Sequence, residues 1–355
     1  MTPLTRLIAA QIDAAGPITL ADYMGLCLMH PQHGYYATRD PLGAAGDFIT
    51  APEISQIFGE LLGLSLAQCW LDQGAPSPFA LVELGPGRGT LMADVLRATA
   101  RVPGFHKALR LHLVETSTAL RACQAERLTE YSPTWHEQIE TLPDLPLFAI
   151  ANEFFDALPI RQFQRSGDGW CERVIGLSKD GTLTPGLAAS GATGALAHRL
   201  KDTADGDVVE TCPLGTRIAT EIGQRIAQQG GSALIVDYGD WRTLGDTFQA
   251  LQDHATANPY ESPGHADLTA HVDFEALAIA AAPARHTRLT PQGVFLERLG
   301  ATQRAQTLAA SLSGEALTAH VGAHRRLTHP DEMGTLFKVM GLYPEGATPP
   351  PGLNP

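Results

Sequence analysis

Phe79-Ala80-Leu81-Val82-Glu83-Leu84-Gly85-Pro86-Gly87-Arg88-Gly89-Thr90 is the stretch that decides the fold. Phe79, Leu81, Val82 and Leu84 make the short apolar run expected of a parallel strand covered on both faces. Gly85, Gly87 and Gly89 follow; without a Cβ, the backbone can turn tightly and approach a ligand closely. Leu91, Val95 and Leu96 then recur at helical spacing and predict a helix over 90–98. Strand, glycine turn and helix N-terminus together predict a nucleotide-type site.

The glycine spacing narrows the ligand. The dinucleotide fingerprint is G-x-G-x-x-G. Here the third glycine falls one place early, and Thr90 stands where that fingerprint has glycine. G-x-G-x-G with Glu83 two residues ahead is the S-adenosylmethionine (SAM) form of the loop, for a ligand with no pyrophosphate to cradle. Glu83, Gly85, Pro86, Gly87, Gly89 and Thr90 are therefore the expected cofactor-binding residues. The next apolar run, 109–114, ends in Glu115, where an acid would meet the two ribose hydroxyls. A ligand-free strand-to-helix turn would need the same glycines, and Glu115 in that place tips the balance toward the cofactor.

Composition sets outer bounds. The 355 residues suffice for one large domain or two. Hydrophobic residues at 44% and charged residues at 18% fit an ordinary soluble globular chain. A net charge of −13 argues against nonspecific nucleic-acid binding and suits a basic substrate, although a solvated acidic surface commonly gives the same balance. The five cysteines are scattered without a C-x-x-C and read as reduced thiols in a cytosolic setting. No apolar stretch is long enough to insert in a membrane. Residues 1–15 read as a short amphipathic helix, neither a signal peptide nor an Arg-rich transit peptide. The expected location is the cytoplasm of a bacterium, or the mitochondrial matrix if the source is eukaryotic. His30 and His33 have no nearby Cys or acid to complete a ligand set, so no metal is expected.

Taken in order, the chain opens with two helices, 4–14 and 19–29, the second capped by Thr19 ahead of Asp22. A Gly-rich loop then leads to Thr50 and Glu53, spaced as a capping box for a helix over 53–72. After Glu115 come a helix over 118–128 and strands near 134–139 and 146–151. The last of these runs into Asn152-Glu153-Phe154-Phe155-Asp156. In open α/β sheets ligands lie beyond the carboxyl ends of the strands, so these residues share an edge with the glycine loop. A capping loop with two core aromatics is the plainer alternative. A strand at 170–177 belongs to a hairpin outside the core sheet, and short strand 207–213 precedes a helix over 214–229. Ala233 to Gly239 reads as a fifth buried strand, with further strands at 285–289 and 335–340. The expected architecture is α/β: a Rossmann-like seven-stranded sheet of the class I methyltransferase type, its last strand antiparallel. The expected division is an N-terminal helical cap (1–78), a core (79–345) with insertions at about 164–212 and 240–290, and a Pro-rich disordered tail (346–355).

Six stretches together resemble one family: Gly46-Asp47-Phe48 with Pro52-Glu53-Ile54-Ser55-Gln56; Glu83 to Leu91; Asn152 to Pro159; Asp237-Tyr238-Gly239; Ala266 to Phe274; and Met333 to Val339. The chain is similar to the MidA family of SAM-dependent methyltransferases from about Tyr23 to Val339. It departs at Ala51, where serine is expected, and at Pro291, where threonine is usual. The resemblance implies symmetric dimethylation of an arginine on a respiratory complex I core subunit, and a role in complex I assembly. It makes Gly46, Asp47, Phe48, Thr50, Phe154, Phe155 and Asp156 a substrate-facing loop and wall. The expected catalytic residues are Glu153 and Asn152, with Glu172 or Glu210 helping to hold the guanidinium by charge-assisted hydrogen bonds. Asn152 also counts among the cofactor contacts. The expected partner is a protein with a basic target, not nucleic acid; a homodimer is left open. Two other functions compete: a small-molecule methyltransferase, and a non-enzymatic assembly chaperone on the same fold.

Overall fold

The computed structural model describes residues 2–38, 50–191, 194–252 and 255–355. The chain folds as two compact units. One comprises Ile49–Phe155, Thr216–Trp241 and Phe274–Pro355; the other comprises Met1–Phe48, Asp156–Gly215 and Arg242–Asp273.

The first unit is built on Phe79–Leu84 (β1), Leu109–Val114 (β2), Thr134–His136 (β3), Leu147–Asn152 (β4), Gly231–Asp240 (β5), Arg285–His286 (β6) and Phe337–Tyr343 (β7). Their order in the sheet is β6-β7-β5-β4-β1-β2-β3. Every pairing from β3 through β5 is parallel, and β7 lies antiparallel to β5. This is the expected class I layout. β1 and β4 are buried at every position, as strands covered on both faces must be. The chain reverses its strand order at β1, so the carboxyl ends of β1 and β4 flank the crevice where such sheets bind ligands.

Gln56–Asp72 (α1) and Thr90–Thr99 (α2) cover one face. Gly59 and Gly63 let them cross closely: a Cβ would fall 2.6 Å from Asp94 Cβ at Gly59, and 2.9 Å from Val95 Cα at Gly63. Trp70 of α1 meets Phe105 edge-on at 5.2 Å, and Phe79 meets Phe148 at 5.3 Å, filling the core with interlocked rings. Thr118–Arg127 (α3) follows β2, and Pro213–Gln229 (α4) leads to β5.

Three local expectations are corrected. The helix over 53–72 is two helices, Ala51–Ile54 and α1, because Ser55 is extended (φ −157°) and turns its hydroxyl to the Ile57 N–H. Thr50 precedes the first helix without a side-chain cap, so the capping box with Glu53 does not form. The tail is ordered, not disordered. Leu353 is buried in the sheet unit's core, Ser65 Oγ donates to Pro351 O (3.1 Å), and the Arg288 N–H donates to Asn354 O (2.9 Å). Proline-rich sequence suggested disorder, but one leucine with an apolar seat anchors the segment.

The second unit has its own core, with Leu4, Ile8, Tyr23, Met24 and Ile175 buried together. Its two N-terminal helices, Pro3–Ala15 and Leu20–Met29, each start with a capping box, the second formed by Thr19 and Asp22 as expected. A sheet of Ile18–Thr19, Gly169–Leu177, Arg161–Ser166 and Val208–Thr211 carries Leu183–Leu187 on one side. The expected N-terminal cap of 1–78 is thereby divided. Its first two helices join the two inserted segments, whereas α1 belongs to the sheet. Among the described residues, no helix is long and apolar enough to cross a membrane.

Candidate active site

β1 ends at Leu84, and Gly85, Gly87 and Gly89 all take positive φ (63°, 51° and 76°). An L side chain there would crowd its own backbone, which explains the glycines without invoking a ligand. Gly85 has a second constraint: a Cβ would stand 2.8 Å from Phe154 Cδ2, so the loop seats against the turn that follows β4. The Gly85 N–H donates to Val114 O (3.0 Å) and the Gly89 N–H to Pro86 O (2.7 Å). Thr90 opens α2. Its hydroxyl donates to Glu53 Oε1 (2.5 Å) and accepts from Arg127 Nη1 (2.5 Å), so the Glu53 carboxylate serves α2 in place of its own helix.

Glu83 is buried within β1, and its Oε2 has no partner among the described residues. Burial pushes its carboxyl up to about 8, and the nearby Glu115 adds to the effect. The neutral carboxyl is therefore favoured at neutral pH, against a hydrogen bond from the Met92 backbone N–H. Glu115, past the end of β2, is better solvated by protein. Its Oε1 accepts the Ser117 N–H (2.8 Å) and its Oε2 accepts from Gln124 Nε2 (3.3 Å). Burial still raises its carboxyl above the ordinary range, against these bonds and Arg121.

The turn after β4 is the strained part of this edge. Glu153 has φ 49°, uncommon outside glycine, and such conformations persist where surrounding bonds fix them. Here the Glu153 N–H donates to Val236 O (2.9 Å), and Glu153 Oε1 accepts both the Ala51 N–H and Asn152 Nδ2 (3.1 Å each). Asp237, fully buried at the end of β5, braces the next two residues. Its Oδ2 accepts the Phe154 N–H (3.2 Å) and the Phe155 N–H (3.0 Å), and its Oδ1 accepts the Tyr238 N–H (3.0 Å). The two phenylalanines stand edge to face at 5.3 Å, Phe155 buried and Phe154 half-buried. Asn152 Oδ1 is buried with no partner among the described residues.

The structure thus gathers Glu83, Gly85 to Thr90, Glu115, Asn152, Glu153, Phe154 and Phe155 at one edge of one unit, with Thr50 just ahead of the helix that Glu153 holds. Gly46, Asp47 and Phe48 lie outside the described residues. Asp156, Glu172 and Glu210 belong to the other unit. There, the Asp156 carbonyl accepts the Ala270 N–H (3.0 Å). Glu172 receives Arg161 bidentately (2.7 and 2.6 Å). Buried Glu210 accepts from Gln162 Nε2 (2.7 Å) and from the N–H and hydroxyl of Thr247. Two residues not among the expected site residues shape the edge: Asp237 and Gln124. Asp237 was visible as an acid at a strand end. Gln124 carried no signal, being one of several polar residues in its helix.

The residues suit SAM. Asn152 Oδ1 and the remaining lone pairs of Glu115 are acceptors for the hydroxyl and ammonium donors of such a ligand. Strand order, antiparallel last strand and glycine loop define a class I SAM-dependent methyltransferase. A family model described as "Putative S-adenosyl-L-methionine-dependent methyltransferase" matches residues 61–292, and the chain belongs to that family, the MidA family of its sequence motifs. It is 38% identical to the human "Protein arginine methyltransferase NDUFAF7, mitochondrial" over 97% of this chain and 84% of that one. The Drosophila melanogaster homologue is 36% identical over 96% of this chain and 85% of its own. A Burkholderia thailandensis protein solved with S-adenosyl-homocysteine superposes with a TM-score of 0.82 at 28% identity, covering 96% of this chain and 91% of that one. The cofactor is SAM.

Proposed function

We propose that this chain methylates an arginine side chain of a protein substrate, dimethylates it symmetrically, and takes a respiratory complex I core subunit as its target. The observation that carries the arginine assignment is the family relationship, with identity of 36–38% to proteins named protein arginine methyltransferases over nearly the whole chain. The edge chemistry supports it: Asn152 ends β4 and Glu153 follows it, beside the Phe154–Phe155 pair.

When bound, SAM supplies a methyl group on a sulfonium, which departs as a neutral thioether as the new N–C bond forms. Guanidinium is protonated in water and a poor nucleophile. Glu153 pairs with it, draws the positive charge away from the nitrogen that attacks the methyl carbon, and accepts the proton that this nitrogen loses on methylation. The Ala51 N–H and the Asn152 amide hold that carboxylate in place, so part of the rate acceleration comes from orientation. Phe154 and Phe155 exclude water and strengthen the ion pair. The Gly85–Gly89 turn and Glu115 hold the cofactor.

The test is incubation of the purified protein with isotopically labelled SAM and host lysate, followed by mass spectrometry of the labelled band. Symmetric dimethylarginine on a complex I subunit is the expected product. Label on another residue type, or only on small molecules, would overturn the arginine assignment; SAM binding without label in any fraction would favour a chaperone role.

A further inference from the structure

Gln124 is completely buried on α3, and its amide ties together three parts of the sheet edge. Nε2 donates to Gly87 O (2.7 Å) and to Glu115 Oε2 (3.3 Å), and Oε1 accepts from Trp135 Nε1 (2.7 Å). The amide's orientation is forced by its neighbours. A carbonyl and a carboxylate only accept, whereas an indole N–H only donates, so a flipped amide would oppose acceptor to acceptor and donor to donor. Backbone and side chain also fit closely here: a Cβ on Gly89 would lie 3.6 Å from Gln124 Cα.

We infer that Gln124 is a positioning residue for the cofactor site, fixing the Gly87 peptide and the Glu115 carboxylate relative to one another. The inference rests on the glycine loop and Glu115 being the SAM site. Holding Gly87 O fixes the plane of the peptide between Gly87 and Arg88 within the loop. Holding Glu115 Oε2, while Ser117 holds Oε1, fixes the carboxylate plane. Both groups keep acceptor capacity for a ligand, so Gln124 orients them without consuming them. Trp135 locks the amide from β3, which makes the third strand part of the site's support.

The test measures S-adenosylhomocysteine affinity by calorimetry, with melting temperature as a separate readout. Gln124→Leu keeps the bulk and leaves Gly87 O, Glu115 Oε2 and Trp135 Nε1 without this partner; affinity should fall about tenfold or more. Trp135→Phe removes only the lock on the amide and keeps the ring; it should weaken binding by a smaller factor, about two- to fivefold, and it serves if Gln124→Leu fails to fold. A merely structural glutamine would lower the melting temperature and act independently of Glu115. A positioning one should be non-additive in a double-mutant cycle with Glu115→Gln. Normal affinity in folded Gln124→Leu, or in Trp135→Phe where the former does not fold, overturns the positioning role, as does strict additivity. Gly87→Val is the control. If it too binds normally, the assignment of the loop fails and takes the inference with it; if it loses binding while the other variants do not, only the inference falls.

Discussion

Glu172 and Glu153 are both carboxylates beside strands, and the protein treats them in opposite ways. In the second unit, Glu172 meets a cation: Arg161 closes on it with two parallel hydrogen bonds, and the pair is charge-neutral. At the sheet edge of the first unit, Glu153 Oε1 accepts from a backbone N–H and a neutral amide, which orient the carboxylate. The Glu115 carboxylate accepts from the Ser117 N–H and Gln124, with the Arg121 guanidinium bonded to its backbone carbonyl. The contrast sets Glu153 and Glu115, at the edge of the sheet, against Glu172 and Glu210, whose hydrogen bonds are made within their own unit.

The sharpest way to break this contrast is Glu153→Gln. The amide keeps the shape and can still accept the Ala51 N–H, but it carries no charge. If the Glu153 carboxylate pairs with a desolvated guanidinium, its loss should cost about 3–5 kcal/mol in transfer, several orders of magnitude, with SAM affinity near normal. If Glu153 serves only to hold the helix at Ala51, the variant should keep most of its transfer rate. Transfer to an arginine-bearing protein, SAM affinity and melting temperature on the same preparation decide between them.

Glu83 offers a different comparison, a buried acid with one carboxyl oxygen unpartnered among the described residues. Its carboxyl is raised to about 8, so the folded state binds a proton that the unfolded chain has lost above its ordinary value. That contribution to stability is fully present below the unfolded value and disappears as pH rises through about 8. Glu83→Gln cannot ionise. The variant should flatten the loss of stability between about pH 4.5 and 8, the difference reaching up to a few kcal/mol above that window. Denaturant melts of the ligand-free protein across that range test it; parallel curves for the two proteins would mean that Glu83 ionises normally.

Glu115→Ala comes next in size. Losing charge-assisted hydrogen bonds to the ribose should weaken SAM and S-adenosylhomocysteine alike by roughly 1.5–3 kcal/mol, since both carry the same ribose. Unequal losses would place Glu115 nearer the sulfonium or the amino-acid end of the ligand.

The sheet was legible in the sequence because its signals are local. An apolar run, positive-φ glycines and a helical repeat sit within one short stretch, and the later strands repeat the pattern. What escaped was nonlocal. Thr50 and Glu53 have capping-box spacing, yet Glu53 bonds to Thr90, a partner that only the fold supplies. Gln124 acts through Gly87, Glu115 and Trp135, three residues on separate elements. Glu172 and Glu210 looked available because sequence displays an acid without its neighbours; Arg161, Gln162 and Thr247 appear only once strands pair. The acids of the glycine edge could be placed there from sequence because they follow the carboxyl ends of strands, a cue that the second unit's hairpins do not offer.

The smallest effect should come from Glu172→Gln. Its partner Arg161 is 40% exposed, and ion pairs reaching solvent contribute about 0–1 kcal/mol because water and salt already screen them. The glutamine can still accept one of the two Arg161 hydrogen bonds, so the hairpin of Arg161–Ser166 and Gly169–Leu177 should keep its register. Methyl transfer and SAM affinity should stay within about twofold of the unmodified protein, and the melting temperature should move by no more than a few degrees. Arg161→Gln separates the remaining alternatives. If Glu172 only balances Arg161, removing the arginine should be as mild as removing the acid. If Glu172 is instead a reserve clamp that exchanges Arg161 for a substrate guanidinium, Arg161→Gln should lower KM for the protein substrate, and Glu172→Gln should raise it with kcat unchanged. That pair of opposite shifts in KM would bring Glu172 back into the substrate site and end the contrast between the two units.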